Sequence, residues 1–311
     1  MTRAVRFPRF GGPEVLEVVD LPEPHAGAGQ VRVRVHAAGL NPTDWKSLSG
    51  SVGHYAVQLP SGNGNDFAGV VDEVGVGVAG LAAGDRVFGG WRFHAQADHL
   101  VLAPERLVPV PDGLDLIVAA TLDIVGRTAL AALAEVRVVA GETVLVSGAS
   151  GGLGQLVTQL AVQAGAHVLG TGSEASRERI QALGAEWIPY GPGLAERLRE
   201  ASRPGPDGRA GIDAVLDCAG HGTVAAAIEA GVAPARINTN ADPAAIARFG
   251  IRNAGGHTAP SPEPLRDLAE RIAAGGIDIR VAAQYPLERV RDAYTELMRD
   301  HPGGKIVLRL F

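Results

Sequence analysis

The sequence predicts an α/β fold in which a β-rich domain is interrupted by a doubly wound, parallel-sheet domain, and three observations carry that expectation. The first is Ser147-Gly-Ala-Ser-Gly-Gly-Leu-Gly154, which follows the apolar run Thr143-Val-Leu-Val146 and leads into Gln155-Leu-Val-Thr-Gln-Leu-Ala161, a segment of helical periodicity. The second is a regular alternation of short apolar runs and helical patterns from there to Ala254. The third is a different texture on either side, where short strand-like runs are separated by Gly and Pro turns.

In chain order, the N-terminal part to about Pro111 reads as strands at 15–19, 31–35, 67–74, 85–88 and 100–102. The strict alternation Val31-Arg-Val-Arg-Val35 marks a half-buried strand. The central part then gives strands at 143–146, 167–171, 187–190, 214–218, 235–238 and 251–254. Helices at about 174–183, 194–201, 225–230 and 244–249 fall between them, and Arg203-Pro-Gly-Pro-Asp-Gly-Arg209 reads as an exposed loop. Six strands alternating with helices make a complete Rossmann domain. A helix at 287–299 and the closing strand Lys305-Ile-Val-Leu-Arg-Leu310 return to the first domain. The expected division is 1–122 with 257–311 for the β-rich domain and 123–256 for the Rossmann domain, and 311 residues suffice for two cores.

The glycine turn has a chemical reading. Ala149-x-Gly151-x-x-Gly154 matches GxGxxG with Ala for the first Gly. In that pattern Gly151 lets the backbone approach a pyrophosphate and Gly154 lets the helix pack on the strand. The helix start adds free N–H groups and a positive dipole end. Ser147, Ala149, Ser150, Gly151, Gly152, Leu153 and Gly154 are therefore the expected dinucleotide cradle. Folds that bind NAD usually end the second strand on an acid, but here that end is Gly170-Thr-Gly-Ser173. Glu174 comes a step later, with Arg177 and Arg179 beyond it. An Arg beside the adenosine 2′ position pairs with an extra phosphate, so NADPH is the expected cofactor, held here by Thr171, Ser173 and Arg177. Open sheets bind ligands at the carboxyl ends of their strands, which adds Cys218, Ala219, Asn238, Thr239 and Asn240.

Composition narrows the partners. A net charge of −6 offers no basic face, so neither nucleic acid nor an anionic membrane is expected. Membrane-length apolar runs are absent, and Arg3, Arg6 and Arg9 break any signal-peptide pattern, so the expected compartment is the cytoplasm. A single cysteine, Cys218, excludes an intrachain disulfide framework and a Cys-rich zinc site. It reads as a small apolar filler or, alternatively, a reactive thiol. The nine histidines are scattered, His94 and His99 lack a third partner, and no metal is expected.

Six ordered motifs, Ala4-Val-Arg-Phe7, Phe10-Gly-Gly-Pro-Glu-Val-Leu16, Ala37-Ala-Gly-Leu-Asn-Pro-Thr-Asp44, Asp66-Phe-Ala-Gly-Val-Val71, Gly84-Asp-Arg-Val-Phe88 and Gly304-Lys-Ile-Val-Leu308, carry a resemblance. The chain resembles the zinc-independent quinone oxidoreductases, the zeta-crystallin-like branch of the medium-chain dehydrogenase/reductase superfamily. The resemblance implies a GroES-like β domain, a Rossmann domain, a cleft between them, and a homodimer paired through the last Rossmann strand, here 251–254. Zinc alcohol dehydrogenases of the superfamily hold their metal with Cys, His and Cys at positions that correspond to Asn41, Asn65 and Ile124, and none of these is a strong zinc ligand.

By the same resemblance Arg177 and Tyr190 fall around the 2′-phosphate, and Asn41 and Thr128 near the nicotinamide ribose and phosphate. The bland alternatives are a solvated Arg, a packing Tyr, a turn-forming Asn and a helix-start Thr. Asn41, Trp45 and Asn240 are the candidate catalytic residues, although Trp45 suits core packing equally well. His54, Tyr55, Trp91 and His94 are further cleft candidates. The family departs at Asp123 and Arg127, which read as a charge pair at the domain junction or as an altered site, and at 232–238, which lacks the usual Pro-Gly-Gly turn.

A metal-free NADPH site can pass hydride to an acceptor that is already electrophilic, a quinone or the β-carbon of an α,β-unsaturated carbonyl. The enzyme then has to position that small molecule and stabilise the developing oxyanion. Two other readings stay open on the same scaffold. One is a secondary-metabolite tailoring enzyme, performing polyketide-type enoyl reduction or redox-neutral cyclisation; the other is a non-enzymatic NADPH-binding sensor or structural protein.

Overall fold

Alternating Val and Arg at 31–35 dictates a strand with one face in a core and the other outward. The computed structural model, which describes residues 1–51, 57–205, 208, 210–256, 263–299 and 302–311, buries Val31, Val33 and Val35 completely and leaves Arg32 and Arg34 more exposed. The chain divides into two units, Met1–Ile124 with Ser261–Phe311, and Val125–Pro260. The expected boundary at 257 falls on residues outside those described.

The first unit runs through β1 (Thr2–Phe7), β2 (Glu17–Leu21), β3 (Val31–Gly39), α1 (Pro42–Leu48), β4 (Ser61–Gly62), β5 (Asp66–Val74), β6 (Arg86–Gly90), β7 (His99–Leu102), β8 (Leu107–Pro109) and α2 (Leu116–Ala119). Pro13 starts a 3-10 turn over Pro13–Val15, so the strand expected at 15–19 begins only at Glu17. β3 and β5 pair antiparallel from Val31 opposite Val74 to Gly39 opposite Asp66, and β6 extends that sheet with Gly90 opposite Asp66. The ends of β3, β5 and β6 therefore meet at Gly39, Asp66 and Gly90. Phe7, Leu16, Phe67 and Tyr294 are fully buried in the core of this unit.

The helix α3 (Leu122–Val136) leads into the second unit. There follow β9 (Thr143–Ser147), α4 (Gly154–Gln163), β10 (His167–Gly172), α5 (Arg177–Ala182), β11 (Glu186–Pro189), α6 (Leu194–Ala201), β12 (Arg203–Pro204), β13 (Ala210–Gly211), β14 (Ala214–Asp217), α7 (Thr223–Glu229), β15 (Ile237–Thr239) and α8 (Pro243–Phe249). The parallel sheet has the order β11-β10-β9-β14-β15. The winding reverses between β9 and β14, which is where such sheets open a crevice for ligands. The segment expected as the loop 203–209 carries the short β12–β13 hairpin at its ends.

The sixth Rossmann strand is a correction. Residues 251–254 form no strand, only a single parallel bridge from Asn238 to Arg252. The ladder starts with the Thr239 N–H donating to the Arg252 carbonyl at 3.0 Å. The Asn238 side chain then takes over, accepting from the Ala254 N–H at 2.6 Å and donating to the Ala254 carbonyl at 3.1 Å. A side-chain amide thus replaces the neighbouring backbone, and the edge expected to pair two copies is not a strand.

The chain closes with α9 (Glu263–Ala273), β16 (Val281–Pro286), α10 (Val290–Arg299) and β17 (Lys305–Arg309). β17 enters the first unit's sheet antiparallel to β3, with Val307 opposite Gly39, and β16 lies parallel to it. α9 and β16 were not among the expected elements. No helix among the described residues is long and apolar enough to cross a membrane.

Candidate functional site

The glycine turn is built by close approach. Gly148 has φ +58, and the N–H of Gly151 bonds back to its carbonyl at 2.9 Å. A Cβ on Gly154 would lie 2.0 Å from that same carbonyl oxygen, so the helix start tolerates no side chain. Ala149 stands where the pattern has Gly, and it fits because Gly170 faces it: a Cβ there would come 2.9 Å from that of Ala149. Thr171 secures the turn, its carbonyl accepting from Ala149 N–H at 3.0 Å and its hydroxyl from Gly148 N–H at 3.4 Å. The N–H groups of Ser150, Gly152 and Leu153 meet no backbone carbonyl among the described residues. Free donors at the start of α4 suit a pyrophosphate.

Asp217 organises the carboxyl ends of the central strands, and it was missed in the sequence. Its buried carboxylate accepts from Ser147 Oγ at 2.5 Å, Thr239 Oγ1 at 2.7 Å and Gly220 N–H at 2.8 Å. Ser147 Oγ in turn accepts from the N–H groups of Cys218 and Ala219, each at 3.0 Å. One carboxylate therefore ties together the ends of β9, β14 and β15. The hydroxyls of Ser147 and Thr239 and the N–H groups of Cys218 and Ala219 are thus engaged within the turn itself. The available signal was an Asp inside an apolar strand, a residue that must find partners when buried. Burial and the Asp217 carboxylate push the Cys218 thiol well above its ordinary value, in keeping with a filler rather than a thiolate.

Asn240 is likewise engaged. Its amide donates to Ala254 O at 2.9 Å and Asn253 Oδ1 at 3.3 Å, and its oxygen accepts from Asn238 at 3.2 Å. It latches residues 253–254, as Asn238 does. Thr128 Oγ1 accepts from Gly256 N–H at 3.3 Å.

Beyond β10, the Arg177 guanidinium lies 4.0 Å from the centre of the Trp187 ring, and Trp187 is itself fixed by an Nε1–H bond of 3.2 Å to the Gly172 carbonyl. Glu174 pairs with Arg177 at 2.9 Å but is 69% exposed. A guanidinium over a ring and paired with a solvent-facing carboxylate keeps donors that an anion can compete for. The Ser173 and Ser176 hydroxyls lie 3.3 Å apart beside it. Tyr190 is half exposed, its ring 6.2 Å from that of His221.

In the first unit, Asn41, Asp44, Asn65, Asp66 and Lys305 form one buried network. Lys305 Nζ donates to Asn41 Oδ1 at 2.6 Å and to the Leu40 carbonyl at 2.9 Å, and lies 3.9 Å from Asp66. Asp66 accepts from Asn41 Nδ2 at 2.9 Å and from the Ile124 N–H at 3.1 Å. Asp44 accepts from Asn41 N–H at 2.8 Å, from Tyr294 OH at 3.2 Å, and from Asn65 Nδ2. Burial raises Asp66 to about 7 against the pull of Lys305, with Asp123 pushing the same way, and raises Asp44 to about 6. Burial also lowers Lys305, opposed by both carboxylates.

The three positions that the resemblance aligns with metal ligands, Asn41, Asn65 and Ile124, are thus all drawn into this network, two by side chain and one by backbone. Among the described residues, no group of three or more His, Cys, Asp or Glu could hold a metal ion. Trp45 packs partly buried against the core. His54 and Tyr55 lie outside the described residues.

The chain is similar to known proteins along its whole length. Family models match for the alcohol dehydrogenase GroES-like domain over residues 27–148 and for a zinc-binding dehydrogenase over 195–308. A quinone oxidoreductase from Pseudomonas aeruginosa is 32% identical over 99% of both chains. The chain belongs to the quinone oxidoreductase branch of the medium-chain dehydrogenase/reductase superfamily. Among solved structures, the quinone oxidoreductase from Coxiella burnetii superposes with a TM-score of 0.84 at 30% identity, covering 100% of this chain and 99% of that one. A mycobacterial protein complexed with NADPH gives 0.83 at 27%, covering 99% of this chain and 100% of that one. In this chain the GroES-like domain is the unit that carries the Lys305 network, the Rossmann domain is the unit with the glycine turn, and the family's fold binds a nicotinamide cofactor.

Two outcomes are expected. Gly154→Ala forces a Cβ onto the Gly148 carbonyl and should cost about 1–3 kcal/mol in urea unfolding, whereas Gly211→Ala, with open space around it, should cost little. Folding raises Asp44 and Asp66 above the unfolded 3.8, so their stabilising contribution is full below that value and is lost as pH rises through about 6 and about 7. Unfolding measured at about pH 5 and about pH 8 should show that loss in the parent, and less of it in Asp66→Asn.

Proposed function

We propose that the protein is an NADPH-dependent reductase that transfers hydride to a quinone or to an α,β-unsaturated carbonyl without zinc. The observation that supports this reading is the Lys305-centred network, in which Asn41 bonds Lys305 and Asp66, Asn65 bonds Asp44, and the Ile124 N–H bonds Asp66, so that the positions the resemblance aligns with zinc ligands hold two engaged amides and an aliphatic side chain. NADPH supplies the hydride when bound. The chain's own residues do the rest. Ser150, Gly152 and Leu153 offer backbone donors to the pyrophosphate, and Arg177, stacked on Trp187, exchanges Glu174 for the 2′-phosphate. Asp217 holds the turn after β14, which would border the cofactor when it is bound.

The catalytic assignments shift with the geometry. Asn41, only 1% exposed, acts by holding Lys305 and Asp66 in register rather than as a free donor. Asn240 has both amide hydrogens engaged and acts as a positioning residue for 253–254. Trp45, partly buried against the core, serves packing.

Fluorescence titration should show NADPH binding more tightly than NADH, and Arg177→Ala should remove about tenfold of that preference, the worth of roughly one partly exposed charge-assisted contact. Equal affinity of the parent for the two cofactors would refute the NADPH assignment. Incubation with NADPH and a panel of quinones, alkenals and enones should show cofactor oxidation with at least one acceptor, and Asn41→Ala should lower thermal stability along with turnover.

A further inference from the structure

β11 is an edge strand of the parallel sheet, and Trp187 lies on it opposite Gly170 of β10. A Trp at a sheet edge ordinarily serves packing. Here its polar atom is committed as well, because the indole Nε1–H donates to the Gly172 carbonyl at 3.2 Å, at the last residue of β10. The chain turns closely from that point into α5: a Cβ on Gly172 would lie 2.4 Å from Ser176 Oγ and 2.5 Å from Ile180 Cδ1. Ser176 Oγ donates to the Ser173 carbonyl at 2.8 Å, and Arg179 reaches from α5 to Gln155 of α4 at 3.1 Å. Past Trp187, the end of β11 is held by Arg197, whose guanidinium donates to the carbonyls of Pro189, Gly191 and Pro192 at 3.0, 3.2 and 2.9 Å. The ring therefore sits on a fixed strand and is aimed by its own hydrogen bond.

What the ring holds is Arg177, whose guanidinium carbon lies 4.0 Å from the ring centre while Glu174 pairs with it from the solvent side at 2.9 Å. The two contacts are of different kinds. A carboxylate consumes N–H donors, whereas a ring attracts the face of the cation and leaves its donors, which lie in the guanidinium plane, for an anion. A long side chain that is already held also loses less freedom when it binds a ligand. The place is that of a dinucleotide's adenosine ribose. Thr171 of β10 is bonded to the glycine turn, accepting from the Ala149 N–H at 3.0 Å and the Gly148 N–H at 3.4 Å, so the pyrophosphate cradle and the turn that carries Arg177 follow adjoining strands of one unit.

We infer that Trp187 is a positioning residue that sets the preference for a 2′-phosphate by acting through Arg177, an inference that rests on the NADPH reading above. The ring keeps the guanidinium in place while its in-plane partner changes from Glu174 to the phosphate. The bond to Gly172 keeps the ring itself from turning away. Adenosine without the 2′-phosphate makes no use of the device.

The test is calorimetric titration of the whole protein with adenosine 2′,5′-bisphosphate and adenosine 5′-monophosphate, which differ only in the 2′-phosphate and need no acceptor. The parent should prefer the bisphosphate. Trp187→Leu and Trp187→Val both remove the ring, the second with a side chain suited to a strand. Each should lower that preference by about fivefold, the upper end for an exposed cation–π contact, with the affinity for the monophosphate unchanged. Trp187→Phe keeps a ring and should retain at least about half of the parent's preference. In an Arg177→Ala background Trp187→Leu should change the preference no further, because the ring acts through that guanidinium. A preference unmoved by loss of the ring, a loss in Trp187→Phe as large as in Trp187→Leu, or a loss that persists without Arg177 would each overturn the inference and leave the NADPH reading standing. An equal loss of both ligands would overturn it too, by making Trp187 a support of the whole adenosine site. A parent that binds the two ligands equally would remove the NADPH reading and the inference together.

Discussion

The ammonium of Lys305 is the interaction on which the β-rich unit depends. The chain has only two lysines among its 28 basic residues, and one of them is 97% buried. A buried cation is costly unless every donor is satisfied. Lys305 donates to the Leu40 carbonyl and the Asn41 amide oxygen and lies 3.9 Å from the Asp66 carboxylate, which balances its charge. Those partners lie at the end of β3, the start of α1 and the start of β5, so a residue near the C-terminus locks the N-terminal sheet. A compact ammonium concentrates its charge and donors on oxygens crowded around one point, a geometry unlike the planar fork of Arg. The same contacts fix the Asn41 amide, with its oxygen on Lys305 and its nitrogen on Asp66. They also engage the positions at which metal-dependent members of the superfamily hold zinc.

The Rossmann unit is governed by steric and electrostatic constraints of its own. Gly154 must lack a side chain because α4 begins against the Gly148 carbonyl, and Ala149 is admitted because Gly170 yields the space. Asp217 binds three strand ends together and so sets the rim from which a cofactor would be contacted. Arg177 is stiffened by Trp187 at the other side of the same sheet. Each of these devices uses up the polar capacity of a neighbour, and for that reason several residues of the expected cradle, Ser147 and Thr239 among them, serve the scaffold with their side chains.

What was legible in the sequence was local. The strand, turn and helix around Ser147–Gly154, the alternation at 31–35 and the closing strand all follow from spacing within a few residues, and they settle the fold class. The sixth strand failed because Asn238 replaces a backbone ladder with its amide, which hydrophobic pattern cannot report. α9 could have been read: Leu265, Leu268, Ala269 and Ile272 recur at helical spacing and are all buried. The Lys305 network could not, since it joins residues 264 positions apart that carry no shared spacing. Asn41 and Asn240 stand out in the sequence as polar candidates, but their partners are visible only in the folded chain.

The account stands or falls on hydride transfer without metal. The direct measurement is turnover of an enone by protein dialysed against a chelator, with NADPH deuterated at the transferred position of the nicotinamide. The account predicts deuterium on the β-carbon of the saturated product, at a rate unchanged by chelation. Product free of deuterium, or transfer that stops on chelation and returns with added zinc, would contradict it.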